Sequence, residues 1–360
     1  MPLIYKDDWE EAKERYRLWW NGEYFGRCGL WVTAPRDKIT HDVPLPPNPK
    51  DPTDYWMNLD LISARNEYHF SHTFFGGEAF PKWTPGYAGV SSIASFLGSP
   101  LHLDYVTGWH EPIMTGDDWD IHKCKIDKSG KWWQFTIEML NRAVKESAGK
   151  CIPCIGAFGG CGDTLASLRD TMNLLYDVKD CPEKVRDAEE YLMDMWFDVY
   201  NTFYEIVRDA SDDGSTSWFG LWAPGKFYPT QNDFSYMISP KMFCEIFLPV
   251  IQRQTEFLDY SVYHVDGIEA FAHVPALCEL PRLQAIQILP GAGKPSPLYY
   301  AEVLKTVQFA GKNLHISIAS NEVEKALNML SAKGLFIETW ASTETEAREL
   351  LKKAEMWSRV

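Results

Sequence analysis

The last third of the chain constrains the fold most. Short apolar runs begin near residues 261, 283, 314 and 335 (SVYHV, LQAIQIL, LHISIAS and GLFIETW), at intervals of about 22, 31 and 21 residues, and each is followed by a segment of helical periodicity. Strand and helix alternating in series at this length make parallel strands, because each crossover helix returns the chain to the starting end of the sheet. Several of the runs are apolar at successive positions, as strands covered on both faces require. A closed (β/α)8 barrel and an open doubly wound sheet both satisfy this pattern. No G-x-G-x-x-G or G-x-x-x-x-G-K-[ST] follows any of the strands, and Gly291-Ala292-Gly293-Lys294 has the wrong spacing for a phosphate loop. The expected fold class is therefore α/β, a single (β/α)8 TIM-type barrel with an N-terminal helical extension.

Upstream, LHLDYV, CIPCIGAF and STSWFGLW read as further strands. Helices are expected near 131–148, 164–178, 183–210, 240–258, 268–279, 297–310, 321–332 and 343–357. Residues 7–20 form an amphipathic helix, GRCGLWVTAPRD holds a short strand, and a loop rich in Pro and Asp (41–54) precedes a helix near 59–74. This first part has too few apolar residues for a core of its own. One domain over 1–360 is expected, with 1–80 as N-terminal helical extension and first strand and 81–360 as barrel.

Charge narrows the partners. The sequence has 50 acidic and 35 basic residues, a formal net charge of −15, so phosphate backbones and anionic lipid surfaces are repelled. No nucleic acid and no membrane partner is expected. The opening segment lacks the basic start and apolar run of a signal peptide, and no apolar stretch is long enough to span a bilayer, so a cytoplasmic location is expected. Eight cysteines are too sparse for a disulfide framework. Cys151 and Cys154 form a C-x-x-C pair inside an apolar strand-like run with no second pair, and they read as buried free thiols.

In a barrel, reactive groups gather at the C-terminal strand ends. These ends read Gly156-Ala157-Phe158-Gly159-Gly160, Leu221-Trp222, His264-Val265-Asp266-Gly267, Gln287, Ser317-Ile318-Ala319-Ser320 and Glu338-Thr339-Trp340. His264 and Asp266 are two apart, so both lean to one face and can act as two metal ligands or as a base with its orienting carboxylate. The alternative is structural: Asp266 with Glu269 has the form of a capping box for a helix at Ile268. Glu338 ends the last strand and is the candidate third group, as metal ligand or proton carrier, or else one arm of a surface pair. Trp222, Gln287 and Trp340 are candidate substrate-binding residues, with ordinary burial the alternative for the two tryptophans. His273 falls within a helix and reads as a packed or surface residue.

Several segments carry a family resemblance. DFSYMISPKMFCEIFLPVIQRQTEFLD, followed by YHVDG and serial βα units, is similar to the uroporphyrinogen decarboxylase superfamily, as is CIGAFGGCGDTLASLRDTMNLLYDVKDCPEKV; with ASFLGSP the likeness spans roughly 90–360. It implies a (β/α)8 barrel. The true decarboxylases hold a tetrapyrrole with an arginine-rich N-terminal motif, for which this chain has only Arg27 and Arg36 in another context. Their tyrosine falls near Leu168 here, and their late histidine has no counterpart between 334 and 345.

The second branch comprises corrinoid-dependent methyltransferases, which carry H-x-C on the strand matching SVYHVDG and a further Cys on the last strand, together holding zinc. This chain keeps His264, has Asp266 in place of that Cys, and has no Cys after 278. The resemblance thus implies a harder His264, Asp266 and Glu338 site, with zinc still admissible. The implied activity is methyl transfer between a small methylated substrate and a corrinoid carried by a partner protein. A cofactor-free decarboxylase or lyase acting on a small carboxylated or aromatic compound, and a non-catalytic ligand-binding barrel, are the alternatives. Homodimer formation is left open.

Overall fold

A computed structural model describes residues 3–39, 41–86 and 88–360. Its centre is a seven-stranded sheet: β1 (Gly29–Pro35), β2 (Thr73–Gly77), β3 (Phe227–Gln231), β4 (Tyr260–Asp266), β5 (Ala285–Leu289), β6 (Asn313–Ser317) and β7 (Leu335–Trp340). The strands lie in the order β2-β1-β7-β6-β5-β4-β3. β2 runs antiparallel to β1, and every other pairing in this sheet is parallel. The four strands of the last third are consecutive neighbours, as their regular spacing predicts. Helices wrap the sheet, which makes the architecture α/β with the serial order of a TIM-like barrel. Among the described residues, the named strand pairings do not join β2 to β3.

Three expected strands differ. LHLDYV gives only Leu101–Leu103, paired antiparallel with Gly108–His110 as an outlying hairpin. Its half-exposed alternation suits a ribbon packed on one side, whereas a barrel strand is covered on both. STSWFGLW folds back on itself, Ser215–Thr216 against Trp222–Ala223, because Gly220 lets the turn lie on the Trp31 ring (an added Cβ there would meet it at 3.1 Å). CIPCIGAF is strand only at Ile152–Pro153, paired with Lys82–Trp83. In its place β3 emerges from FYPTQ, where Pro229 masks the strand signal. Proline lacks an amide donor and is tolerated because β3 is the edge of the sheet.

The expected helix at 240–258 is interrupted by a π-turn at Phe243–Phe247, just before Pro249 deletes a ladder donor. That at 268–279 is a 3-10 turn (Ile268–His273) running into Val274–Cys278, and 164–178 divides into Asp163–Arg169 and Thr171–Asp180.

The N-terminal helix Trp9–Trp20 buries Trp9, Ala12, Tyr16, Trp19 and Trp20, the i, i+3, i+4 stripe of a core-facing helix. It seals the floor of the sheet: Tyr16 stacks on Phe336 at 5.7 Å, and Trp19 Nε1 donates to Gly334 O at 3.0 Å. At the same end Glu78, almost fully buried, accepts from both Arg27 terminal nitrogens (2.8 and 2.7 Å), from Arg15 Nε and from Leu30 N. Burial alone would raise the Glu78 carboxyl, but Arg27, Arg15 and the Leu30 amide outweigh it and hold it at about 2. Arg36 donates to the Thr73 and Tyr5 carbonyls, so both early arginines support the fold.

All eight cysteines are free, with Cys151 and Cys154 buried as expected. Burial pushes the Cys151 thiol up to about 12 and raises that of Cys154. No helix among the described residues is long and apolar enough to cross a membrane.

Candidate active site

The C-terminal ends of the strands open into a cavity of about 390 Å³, lined by Lys82, Thr84, Gly86, Ala157, Trp218, Gln231, Asp233 and His264. A second cavity of about 350 Å³ adjoins it through Ala157 and Gln231 and reaches His110 and Asp163. A third, of about 300 Å³, shares Asp233 and is walled by Asp266, Glu269 and Lys294. None of these described linings contains an arginine.

His264 stands near the end of β4 with only 7 % of its surface exposed. Its register partner on β5 is Gln287, and Nδ1 lies 2.5 Å from Gln287 Oε1. With the amide oxygen as acceptor, Nδ1 carries the proton and Nε2 presents a lone pair. Burial lowers the His264 pKa against the opposing pull of Gln287, Asp266 and Asp163, which favours this neutral form. Nε2 is 4.0 Å from Asp266 Oδ2, outside hydrogen-bond reach. Asp266 makes no capping bond to the turn at Ile268, whose N-cap is Gly267, so the capping alternative does not account for it.

The aromatic loop between the hairpin strands 215–216 and 222–223 forms the inner wall. Lys82 Nζ donates to three successive carbonyls, those of Ser217, Trp218 and Phe219, at 2.9, 3.0 and 2.8 Å. These engage all three ammonium protons. The loop is thereby held with the Trp218 ring edge-on to His264 (5.0 Å) and Phe219 stacked on His315 (5.5 Å). His315 is fully buried, neither ring nitrogen has a hydrogen-bond partner among the described residues, and burial depresses its pKa to about 3. Glu338 comes 3.6 Å from His315 Nε2, and burial raises its pKa against the nearby Lys82 charge.

Across the cavity Asp163 opens the helix Asp163–Arg169. Gly162 before it has φ 71°, and a Cβ there would lie 2.1 Å from Asn232 Oδ1, so glycine is required for this approach. Asp163 accepts from Gln231 Nε2 (3.0 Å) and Phe234 N (2.9 Å). Removal from water raises the Asp163 carboxyl; the same effect, reinforced by the charges of Asp163 and Asp266, pushes Asp233 up to about 8.

The expected residues separate accordingly. His264 lines the main cavity, Asp266 the adjoining one, and Glu338 lies on the same sheet face but two strands beyond β5, beside His315. Among the described residues no three His, Cys, Asp or Glu side chains converge to hold a metal, so His264, Asp266 and Glu338 do not form the expected ligand set, for zinc or otherwise. The oxygen donors are spread along the rim because β5 and β6 intervene.

Gln287 is 4 % exposed and touches His264 in place of the cavity. Trp222 is fully buried at the floor, edge-on to Trp9 at 5.7 Å, with its indole donating to Ser211 O. Trp340 is 60 % exposed at the rim and outside the described cavity linings. His273 is packed, stacking on Phe243 at 4.4 Å and hydrogen-bonded to Ser235 O.

Sequence reasoning missed Lys82, Asp163, Trp218, Gln231, Asp233 and His315. Gln231 ends the strand hidden by Pro229 and Asp233 follows it, whereas His315 was visible as a polar position alternating with apolar ones on β6.

Such a mouth, polar and aromatic at the C-terminal ends of parallel strands, defines an α/β protein of TIM-like architecture with a built ligand cavity. Over 96% of its length the chain is similar to a solved methyltransferase from Methanosarcina mazei, with a TM-score of 0.61, 9% sequence identity and 98% of that protein covered. At this identity the likeness shows a shared fold. No family model and no curated protein matches the sequence.

Proposed function

We propose that this chain is a methyltransferase that moves a methyl group between a small methylated substrate and a corrinoid carried by a partner protein. The reading is supported most by His264: a nearly buried imidazole whose tautomer is fixed by Gln287 and whose Nε2 opens on the cavity beside Asp266 and Asp233. The uroporphyrinogen decarboxylase-like sequence features and the fold shared with a methyltransferase point the same way.

When bound to its carrier, a reduced corrinoid would supply the electron pair that takes up the methyl group as a methyl-cation equivalent. The chain holds the heteroatom that bears the methyl group. As the carbon–heteroatom bond breaks, its electron pair stays on the heteroatom, and His264 and the neighbouring carboxyls hold or exchange the proton that balances it. The Trp218 ring wall and Lys82-anchored loop shield this point from water. No step is routed through zinc, because the residues present do not assemble a site for it.

The test is turnover with reduced free cobalamin, followed by its absorption spectrum, across a panel of small methylated compounds. Methylation that disappears in His264→Ala supports the reading. Substrate conversion that proceeds without any corrinoid would replace it with the lyase alternative.

A further inference from the structure

The inventory of donors and acceptors around the main cavity is one-sided. Its cation, Lys82, has all three protons on the carbonyls of Ser217, Trp218 and Phe219. The Gln231 amide nitrogen is directed to Asp163 at 3.0 Å and Asp233 at 3.5 Å. The Trp218 indole N–H is buried and does not surface in the cavity. The Thr84 hydroxyl accepts from Gly86 N and is engaged by the Cys154 thiol. Among the described residues, what is left facing the space is acceptor: the His264 Nε2 lone pair, on a side chain more than nine-tenths buried with its nearest charged neighbour 4.0 Å away, and the Asp233 carboxyl. Asp266 adds a further carboxylate from the adjoining cleft, where Lys294 stands on the exposed outer rim. The Trp218 ring supplies an aromatic wall.

An anion entering here finds no open cationic donor among the described lining residues and several acceptors, so its desolvation goes uncompensated. A cation with an N–H satisfies the lone pair, the carboxylates and the ring together. We infer that the cavity takes a small protonated amine, its N–H donated to His264 Nε2 and its charge held by Asp233 and Asp266. This rests on the cavity being the methyl-transfer site and names its substrate class. With such a substrate the C–N bond breaks with its electron pair left on nitrogen, and the product is the neutral amine, which needs no further proton.

Binding alone tests it, independently of methyl transfer. The probes are four compounds of similar size: trimethylammonium, tetramethylammonium, neutral tert-butanol and the anion pivalate, titrated calorimetrically at pH 9 and low salt. Trimethylammonium is expected to bind at least tenfold tighter than tert-butanol and pivalate, and Asp233→Asn to lose that preference. Tetramethylammonium, with no N–H for His264, is expected to bind more weakly than trimethylammonium. Equal or tighter binding of pivalate or tert-butanol, or no binding of trimethylammonium, overturns the inference, and equal affinity for the two ammonium ions overturns the His264 contact. Tight trimethylammonium binding without methylation of cobalamin would leave the cation site standing and remove the methyl-transfer reading instead.

Discussion

Gln287 and His264 face each other across two parallel strands with Oε1 and Nδ1 2.5 Å apart, and this contact sets which imidazole nitrogen is free. A partner that holds an imidazole in its productive tautomer supports proton transfer, to which positioned acid–base groups contribute about 10²–10⁴-fold. Gln287→Leu is expected to lower turnover by at least about tenfold and to narrow the preference for trimethylammonium over tetramethylammonium, because an imidazole protonated on Nε2 cannot accept the substrate N–H. Nitrogen-15 imidazole spectra should show the loss of the single tautomer. A wild-type tautomer in Gln287→Leu would show that the contact does not set it.

Asp233 gives the cavity a pH dependence. Its carboxyl is raised to about 8, first by removal from water and then by Asp163 and Asp266. A raised acid is neutral below its pKa, so the charge that attracts a cation appears as pH rises through about 8. Alkylammonium ions of lysine type stay protonated to about pH 10. Trimethylammonium affinity should therefore climb between pH 7 and 9 in the wild type, read by titration at fixed ionic strength. In Asp233→Asn the profile should be flatter, with Asp163, Asp266, His264 and Lys82 the remaining groups facing that space.

Lys82 anchors the aromatic loop. Lys82→Met leaves the three carbonyls of Ser217, Trp218 and Phe219 without their donor. The expected cost is about 3 kcal/mol of stability, with a red shift of tryptophan fluorescence as Trp218 leaves His264. An unshifted spectrum and unchanged denaturation midpoint would show the loop is held by other contacts.

At the floor, Glu78 makes the fold acid-sensitive. Its folded pKa of about 2 lies below the ordinary 4.5, so its contribution is complete above about 4.5 and is lost as pH falls towards 2. The difference corresponds to about 3 kcal/mol. Urea midpoints of the wild type should fall over that window, and Glu78→Gln should be less stable at pH 7 with a shallower decline.

The serial βα units of the last third were legible because buried parallel strands carry a one-dimensional signal, apolar runs at regular spacing. The position of His264 and Asp266 followed from that register. The Lys82 loop was not legible, since a lysine reaching three carbonyls some 135 residues away leaves no local pattern. Trp222 stayed between two readings for a related reason: a tryptophan at a strand end suits a pocket wall or a packed floor equally, and only the fold of STSWFGLW into a hairpin decides for the floor. Glu338 stands three strands from His264, as the serial order requires; whether side chains that far apart converge across the mouth depends on the curvature of the sheet, which spacing does not encode.

The pairing of β1 with β7 also bears on how the protein is made. Gly29 to Thr33 find their parallel partners only at Phe336 to Trp340, and the Trp19 backbone carbonyl accepts from Asn313, 294 residues later. On a ribosome adding roughly 5–20 residues per second, the amphipathic N-terminal helix therefore waits many seconds with Trp9, Tyr16, Trp19 and Trp20 lacking their final cover. Slow synthesis should load this chain onto hydrophobic-segment chaperones early. A permutant that opens the chain elsewhere and joins residue 360 to the N-terminus would bring both strands out of the exit tunnel together.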